Sequence, residues 1–211
     1  QLEIDSMVEV ARKYDVHGIH FDYIRYPSSD FCFCAGCRTR FEKQLGRSVA
    51  DWPKDAGPGG RDLEAWLEFR RQNITHVVAG VHEGARKVRP GIKISAAVFR
   101  NWPNDRDKVG QDWKVWCDRG YLDFVCPMDY TPYNDSFRNM AAQQMAWAGK
   151  VPCYPGIGQS TWPDRLDIVK LIEQITVTRE LGAGGFTVFN YGTAEYADIL
   201  PLCGMGITRK P

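Results

Sequence analysis

The sequence predicts an α/β domain built on a parallel sheet, and two observations carry that reading. Short β-branched or aromatic runs alternate in strict order with amphipathic stretches of helical period, the pattern of successive βαβ units. The segments that follow the strands are also longer, and richer in Trp, Tyr, Asp and Asn, than the turns that precede them. That asymmetry fits a (β/α) barrel, whose working face lies at the carboxyl ends of its strands.

The elements follow in order. Ile4, Met7, Val8 and Ala11 recur at helical spacing, so residues 2–14 form an amphipathic helix. A strand over 17–24 comes next. Residues 28–61 make a long connection holding FCFCAGC, a short helical piece around Thr39 to Leu45 and the Gly/Pro-rich DAGPGG; connections of that length are usually functional or metal-stapled. A strong helix then carries Leu63, Leu67, Ile74, Val77, Val81, Ala85 and Val88 on one face and stops at Pro90 and Gly91. Strands are predicted at 93–99, 124–130, 151–157 and 185–191. The helices between them fall at about 112–118, 137–148 and 165–181, with a short one near 195–200.

A closed barrel of this type needs eight strands, and five are found. The expectation is therefore a single domain, residues 1–211, holding the C-terminal five strand–helix units of a barrel whose N-terminal strands are missing; the alternative is an open, doubly wound sheet. The opening at Gln1, with neither Met nor a signal peptide, reads as a mature or excised piece. A net charge of +1 gives no bulk field to attract nucleic acid or an anionic membrane, and no apolar run is long enough to span a bilayer. Seven Trp, nine Tyr and ten Phe suit either a sugar-binding cleft or a core. Seven Cys form no framework of spaced pairs, which leaves the compartment undecided, a secreted or periplasmic setting included.

The stretch VHGIHFDYIRYP, Val16 to Pro27, organises the rest. Alternation puts Ile19, Phe21 and Tyr23 on one face of its strand and His20 and Asp22 on the other, before Pro27 ends it. Asp22 thus falls where barrel enzymes keep reactive groups; its other reading is a buried or loop-capping carboxylate. His20 shares its face, either to hydrogen-bond a ligand hydroxyl or the Asp22 carboxylate or as a satisfied core histidine, and Arg25 is expected to hold Asp22 ionised.

GIHFDYIRYP after an amphipathic helix resembles the fourth-strand signature of the glycosyl-hydrolase-like (β/α)₈ barrel families, many of them bacterial. FRRQNITHVVAGVHEGARKVRPGIKISAAVF and YLDFVCPMDY resemble the helix and strands that follow, so the resemblance covers most of Val16 to Tyr191. It implies a TIM-barrel fold, a glycoside hydrolase activity and an oligo- or polysaccharide partner. Hydrolysis of a glycosidic bond needs two carboxyl groups flanking it. Carried over by position from retaining α-galactosidase-like barrels, Asp22 is expected as nucleophile and Asp129 as acid/base, the two facing each other across one cleft; the alternative for Asp129 is an orienting or structural carboxylate. Phe99 and Arg100 stand where amylase-type barrels carry Glu, and the DxxDxDxE strand of chitinase-like barrels is absent. Trp102, Tyr133, Trp162 and Tyr191 are expected to stack on sugar rings and Asn190 to bond a sugar hydroxyl.

Cys32-x-Cys34-x-x-Cys37 resembles the zinc loop of one group of barrel β-galactosidases, which implies a structural zinc and no cofactor for catalysis. The fourth ligand is open: a residue of the absent N-terminal part, or Cys117, Cys126, Cys153 or Cys203, which also read as small buried hydrophobes. A disulfide or free thiols is the competing reading of the motif. Two rivals to the enzyme remain, a carbohydrate-binding barrel without catalysis and a scaffold completed by absent segments.

Overall fold

The structure is a computed structural model describing residues 1–160, 167–193 and 195–208. Among these described residues it is an α/β fold with five parallel strands, β1 (Gly18–Phe21), β2 (Lys93–Val98), β3 (Phe124–Pro127), β4 (Gly156–Gly158) and β5 (Thr187–Phe189). β1, β2 and β3 form one sheet in sequence order, and β4 pairs with β5. Single parallel bridges, Val125 to Cys153 and Met128 to Gly156, join the two groups. Every strand pairing among the described residues is parallel.

The strands are shorter than the sequence predicts, each for a visible reason. β1 stops at Phe21 because Tyr23 adopts a left-handed backbone, with φ of 54°. Tyr23 is therefore 75% exposed and does not share the buried face of Ile19 and Phe21. The fourth strand begins at Gly156, not Val151: Pro152 and Pro155 have no N–H to donate, and they serve the ladder only as acceptors, to Val125 N–H at 3.0 Å and Thr187 N–H at 3.1 Å.

Helices cover one face of the sheet. α1 (Leu2–Lys13) and α3 (Leu63–Val88) pack on each other and on β1 and β2. Ile4 seats where α3 carries Gly80; a Cβ there would meet the Ile4 Cδ1 at 2.6 Å, so the helices approach this closely only over glycine. Ile19, Phe21, Ile94, Ala96, Val98 and Val125 meet those helices and α5 (Trp113–Asp118) in the main core. A second core joins α6 (Asn134–Ala148), β4 and α7 (Ile168–Glu180). The last described elements are a π-type turn, Glu195–Ile199, and α8 (Leu200–Met205).

The connection 28–61 is not a bare loop. It carries a helix, α2 (Ala35–Leu45), and packs Phe41, Val49 and Ala56 with Trp66 and Phe69 of α3 into a core of its own. Phe33 stacks on Trp66 with ring centroids 5.2 Å apart, and the Trp52 indole N–H donates to the Phe33 carbonyl at 3.0 Å. A helix where the sequence suggests a loop, α4 (Trp102–Lys108), lies beside the carboxyl end of β2.

Candidate functional site

Register decides which side chains can meet. His20 pairs with Ser95, Ser95 with Phe124, and Ala97 with Cys126, so these residues share the sheet face turned away from the main helix core. The His20 Nδ1 lies 2.8 Å from the Ser95 hydroxyl. Burial pushes the imidazole pKa down, and the charge of Asp22 opposes that shift. Asp22 follows at the strand's carboxyl end with its side chain exposed, one oxygen accepting the Tyr23 N–H at 2.8 Å. A tyrosine held at positive φ immediately after a carboxylate is the kind of backbone strain that marks functional sites.

Beyond the ends of β2 and β3 lies a cavity of about 670 Å³, walled by Phe99, Arg100, Asp105, Lys108, Met128 and Tyr130 among others. A second cavity of about 510 Å³ shares Arg100, Asn101 and Tyr130 with it and continues past Tyr133, Met140 and Trp147. The Asp22 loop borders the first: the Arg25 guanidinium sits 4.5 Å from the Phe99 ring centroid and 5.0 Å from that of Tyr23. Burial raises the Tyr130 phenol pKa, and Asp22, Tyr23 and Asp129 add to the rise, so Asp22 lies within electrostatic reach of the cavity wall.

The structure does not bring Asp22 and Asp129 together across this cleft. Met128 and Tyr130 line the cavity, whereas Asp129 between them is 0% exposed. Its Oδ1 accepts from Gln144 Nε2 of α6 at 2.5 Å, and its Oδ2 is buried with no partner. Burial raises its pKa to about 8, against the smaller opposing effects of Gln144 and Arg100. A raised pKa suits an acid catalyst, but geometry comes first, and a carboxyl sealed against a helix touches no substrate.

Other expectations also move. Arg25 makes no ion pair with Asp22 among the described residues; its Nη1 donates to the Tyr26 carbonyl at 3.1 Å. Trp102 is no cleft platform: its indole N–H donates to Asp112 at 2.7 Å and its ring packs on Trp147, centroids 5.8 Å apart. Tyr133, 69% exposed, does line the second cavity. Asn190 is exposed, accepts a hydrogen bond from the Ser160 hydroxyl at 2.7 Å and donates its own N–H back to it at 3.1 Å. Tyr191, also exposed, borders a separate depression with Thr193 and Tyr196. Trp162 lies outside the described residues.

The sequence reading passed over the residues that brace the site. Gln111, buried, accepts the Phe99 N–H at 2.6 Å and donates to the Ile24 carbonyl at 3.4 Å. Arg70, 1% exposed, donates to the carbonyls of Ser28 at 2.7 Å, Asp107 at 3.1 Å and Lys108 at 3.2 Å, with Tyr26 beneath its guanidinium. Together they tie the Asp22 loop to the segment after β2. An arginine among the apolar positions of the helix's inner face was the available signal.

Cys32, Cys34 and Cys37 do converge, their sulfurs within 4.8 Å of one another, and all are free thiols. Arg40 Nη2 lies 3.2 Å from the Cys37 sulfur. The Cys37 backbone N–H and the other two thiols lower the Cys34 pKa to about 7; burial raises that of Cys37 to about 12. Three soft donors this close suit a thiophilic cation such as zinc. Cys117 and Cys153 belong to the main core, Cys203 to the second, and Cys126 to β3 beside Thr187; none reaches the cluster.

A cleft thus lies at the carboxyl ends of parallel strands, with an exposed carboxylate beside it. Residues 1–154 match the family model Glycosyl hydrolase-like 10, and the chain belongs to that family. Glycosyl hydrolase DigH of Escherichia coli K12 is 27% identical over 165 residues, which are 70% of this chain and 34% of that protein. The chain thus spans about a third of the length of this relative. Among solved structures, the PgaB (BpsB) glycoside hydrolase domain from Bordetella bronchiseptica superposes with a TM-score of 0.75 at 14% identity, over 94% of this chain and 59% of that one. A β-galactosidase from Bacillus circulans sp. alkalophilus gives 0.61 at 12% identity, over 91% and 34%. These likenesses concern the fold.

Proposed function

We propose that this chain is part of a (β/α)₈ barrel that hydrolyses glycosidic bonds in an oligo- or polysaccharide by a retaining mechanism, with Asp22 as nucleophile. The observation that carries the reading is Asp22 itself, an exposed carboxylate at a strand's carboxyl end, beside a cavity whose Tyr130 feels its charge. Strand order supports the barrel: β1, β2 and β3 follow in sequence, and the bridges continue that order to β4, without the reversal at which a doubly wound sheet places its ligand. Two adjoining cavities sharing three wall residues suit several sugar units in a row.

In this mechanism Asp22 attacks the anomeric carbon and forms a glycosyl ester, which water then cleaves. His20 and Tyr130 are placed to hold the sugar or the carboxylate. Asp129 serves as a neutral structural group bonded to Gln144. The three cysteines hold a structural zinc, with a fourth donor that Cys117, Cys126, Cys153 and Cys203 do not supply; the metal pins the 28–61 segment and takes no part in the chemistry.

The test is hydrolysis by the full-length protein of aryl hexosides carrying one to three sugar units, in both anomeric forms. Asp22→Asn should lower turnover by about 10⁴-fold or more. Its carboxylate is exposed with one local hydrogen bond, so stability should change by no more than about 1 kcal/mol. Saccharide binding without turnover in the wild type would instead identify a carbohydrate-binding barrel.

A further inference from the structure

With Asp129 sealed behind the sheet, the site as read from sequence is one carboxyl short. We infer that Asp105, on α4, is the acid/base partner of Asp22. The inference rests on the hydrolase reading above and completes it.

Three observations support it. Among the described residues lining the larger cavity, Asp105 is the one carboxylic acid. It is half-buried, and its Oδ2 accepts the Asn101 N–H at 3.0 Å, which orients the group. It is also linked to Asp22 through the braces already described: Arg25 packs on Phe99 of the same wall, and Gln111, whose N–H donates to the Asp105 carbonyl at 3.4 Å, bonds both Phe99 and Ile24.

The charged groups facing Asp105 come from three elements: Lys108 on its own helix, Arg100 after β2 and Arg25 after β1. All three favour its ionised form, yet burial outweighs them and its pKa stands above the ordinary aspartate range. A carboxyl whose proton is held more tightly by desolvation, beside cations that also stabilise its anion, is suited to give that proton to a leaving oxygen and take another back.

The step balances without a cofactor. The Asp105 proton passes to the glycosidic oxygen as the anomeric carbon–oxygen bond breaks, that bond's electron pair staying on the oxygen. A carboxylate oxygen of Asp22 meanwhile bonds to the anomeric carbon. The Asp105 carboxylate then takes a proton from water as the water oxygen displaces Asp22, which restores both groups.

The test uses leaving groups of different acidity. On the full-length protein, turnover of phenyl and 2,4-dinitrophenyl hexosides of one to three sugar units is compared for wild type, Asp105→Asn and Asp129→Asn. An acid catalyst matters most where the leaving oxygen is basic. Asp105→Asn should therefore lose about 10²–10⁴-fold on the phenyl substrate and far less on the dinitrophenyl one in glycosyl-ester formation. The alkaline limb of the kcat/KM profile should vanish with it, and Asp129→Asn should keep the wild-type pattern of both. Equal loss on the two substrates, an unchanged pH profile, or no loss at all would overturn the assignment, as would a carboxyl ¹³C titration placing Asp105 at or below ordinary aspartate. Wild-type inactivity on every substrate would overturn the hydrolase reading and this one with it; activity indifferent to Asp105→Asn overturns this one alone.

Discussion

Replacing Asp129 by Asn tests the placement of that residue through stability. The folded chain holds Asp129 with a pKa of about 8, against 3.8 for the free group. Between those values the native state binds one proton that the unfolded state has released, so stability falls as pH rises through the window. The slope is about 1.4 kcal/mol per pH unit, and over roughly four units the loss reaches about 6 kcal/mol at most. Below pH 4 both states are protonated and the contribution is flat; above 8 both are ionised and it is flat again. Asn imitates the neutral carboxyl in shape, keeps an acceptor for Gln144 and cannot ionise. Urea melts of both proteins at pH 5, 6, 7 and 8 should diverge, the wild type losing stability relative to Asp129→Asn by about 1 kcal/mol per unit or somewhat more. Parallel curves would refute the buried, protonated Asp129 and reopen the cleft to it.

Arg70→Lys should lower stability by about 2–4 kcal/mol in the same melts, because one ammonium cannot span the three carbonyls the guanidinium fork reaches; a change below about 0.5 kcal/mol would remove Arg70 as a brace. Gly156→Val should cost about 1–3 kcal/mol or more, since a Cβ there would stand 2.5 Å from the Pro127 carbonyl oxygen and 2.6 Å from the Phe189 ring; thermal melting reads it, and an unchanged Tm contradicts the close β3–β4–β5 approach. Cobalt(II) added to the metal-stripped full-length protein should give a thiolate charge-transfer band that Cys34→Ser and Cys37→Ser weaken; no band at all would end the metal proposal.

The fold was legible where hydrophobic period and chain order act together. The run from Leu63 to Val88 reads as one helix because its apolar positions recur at helical spacing on both sides of Arg70, and the five strands of the described residues were legible because each lies between turn signals. Strand ends were less legible, since Tyr23's left-handed backbone and the two prolines before Gly156 act against a pattern that alternation alone would extend. The cysteine cluster was legible because its spacing is local. Asp129 was not legible, because sequence alone does not say which of two neighbours beyond a strand, Met128 or Asp129, turns toward the cleft.

That distinction bears on how the site is built. Met128 and Asp129 follow β3 but stay tied to the neighbouring strand, by the Met128–Gly156 bridge and by the Asp129 N–H donating to the Gly156 carbonyl at 2.9 Å, so Met128 and Tyr130 reach the cavity and Asp129 between them meets α6. Asp22 and Asp105 lie beyond strand ends, where the ladder fixes nothing, and their positions depend on Gln111, Arg70 and the Tyr26 N–H that donates to the Val109 carbonyl at 2.9 Å. These contacts run from side chain or backbone to backbone, so the cleft loops can differ in sequence and keep their spacing while the braces remain. Loss of one brace would shift one carboxyl relative to the other, and such a shift should lower turnover more than it lowers saccharide binding, because bond cleavage needs both groups at one bond whereas binding is spread along the cleft.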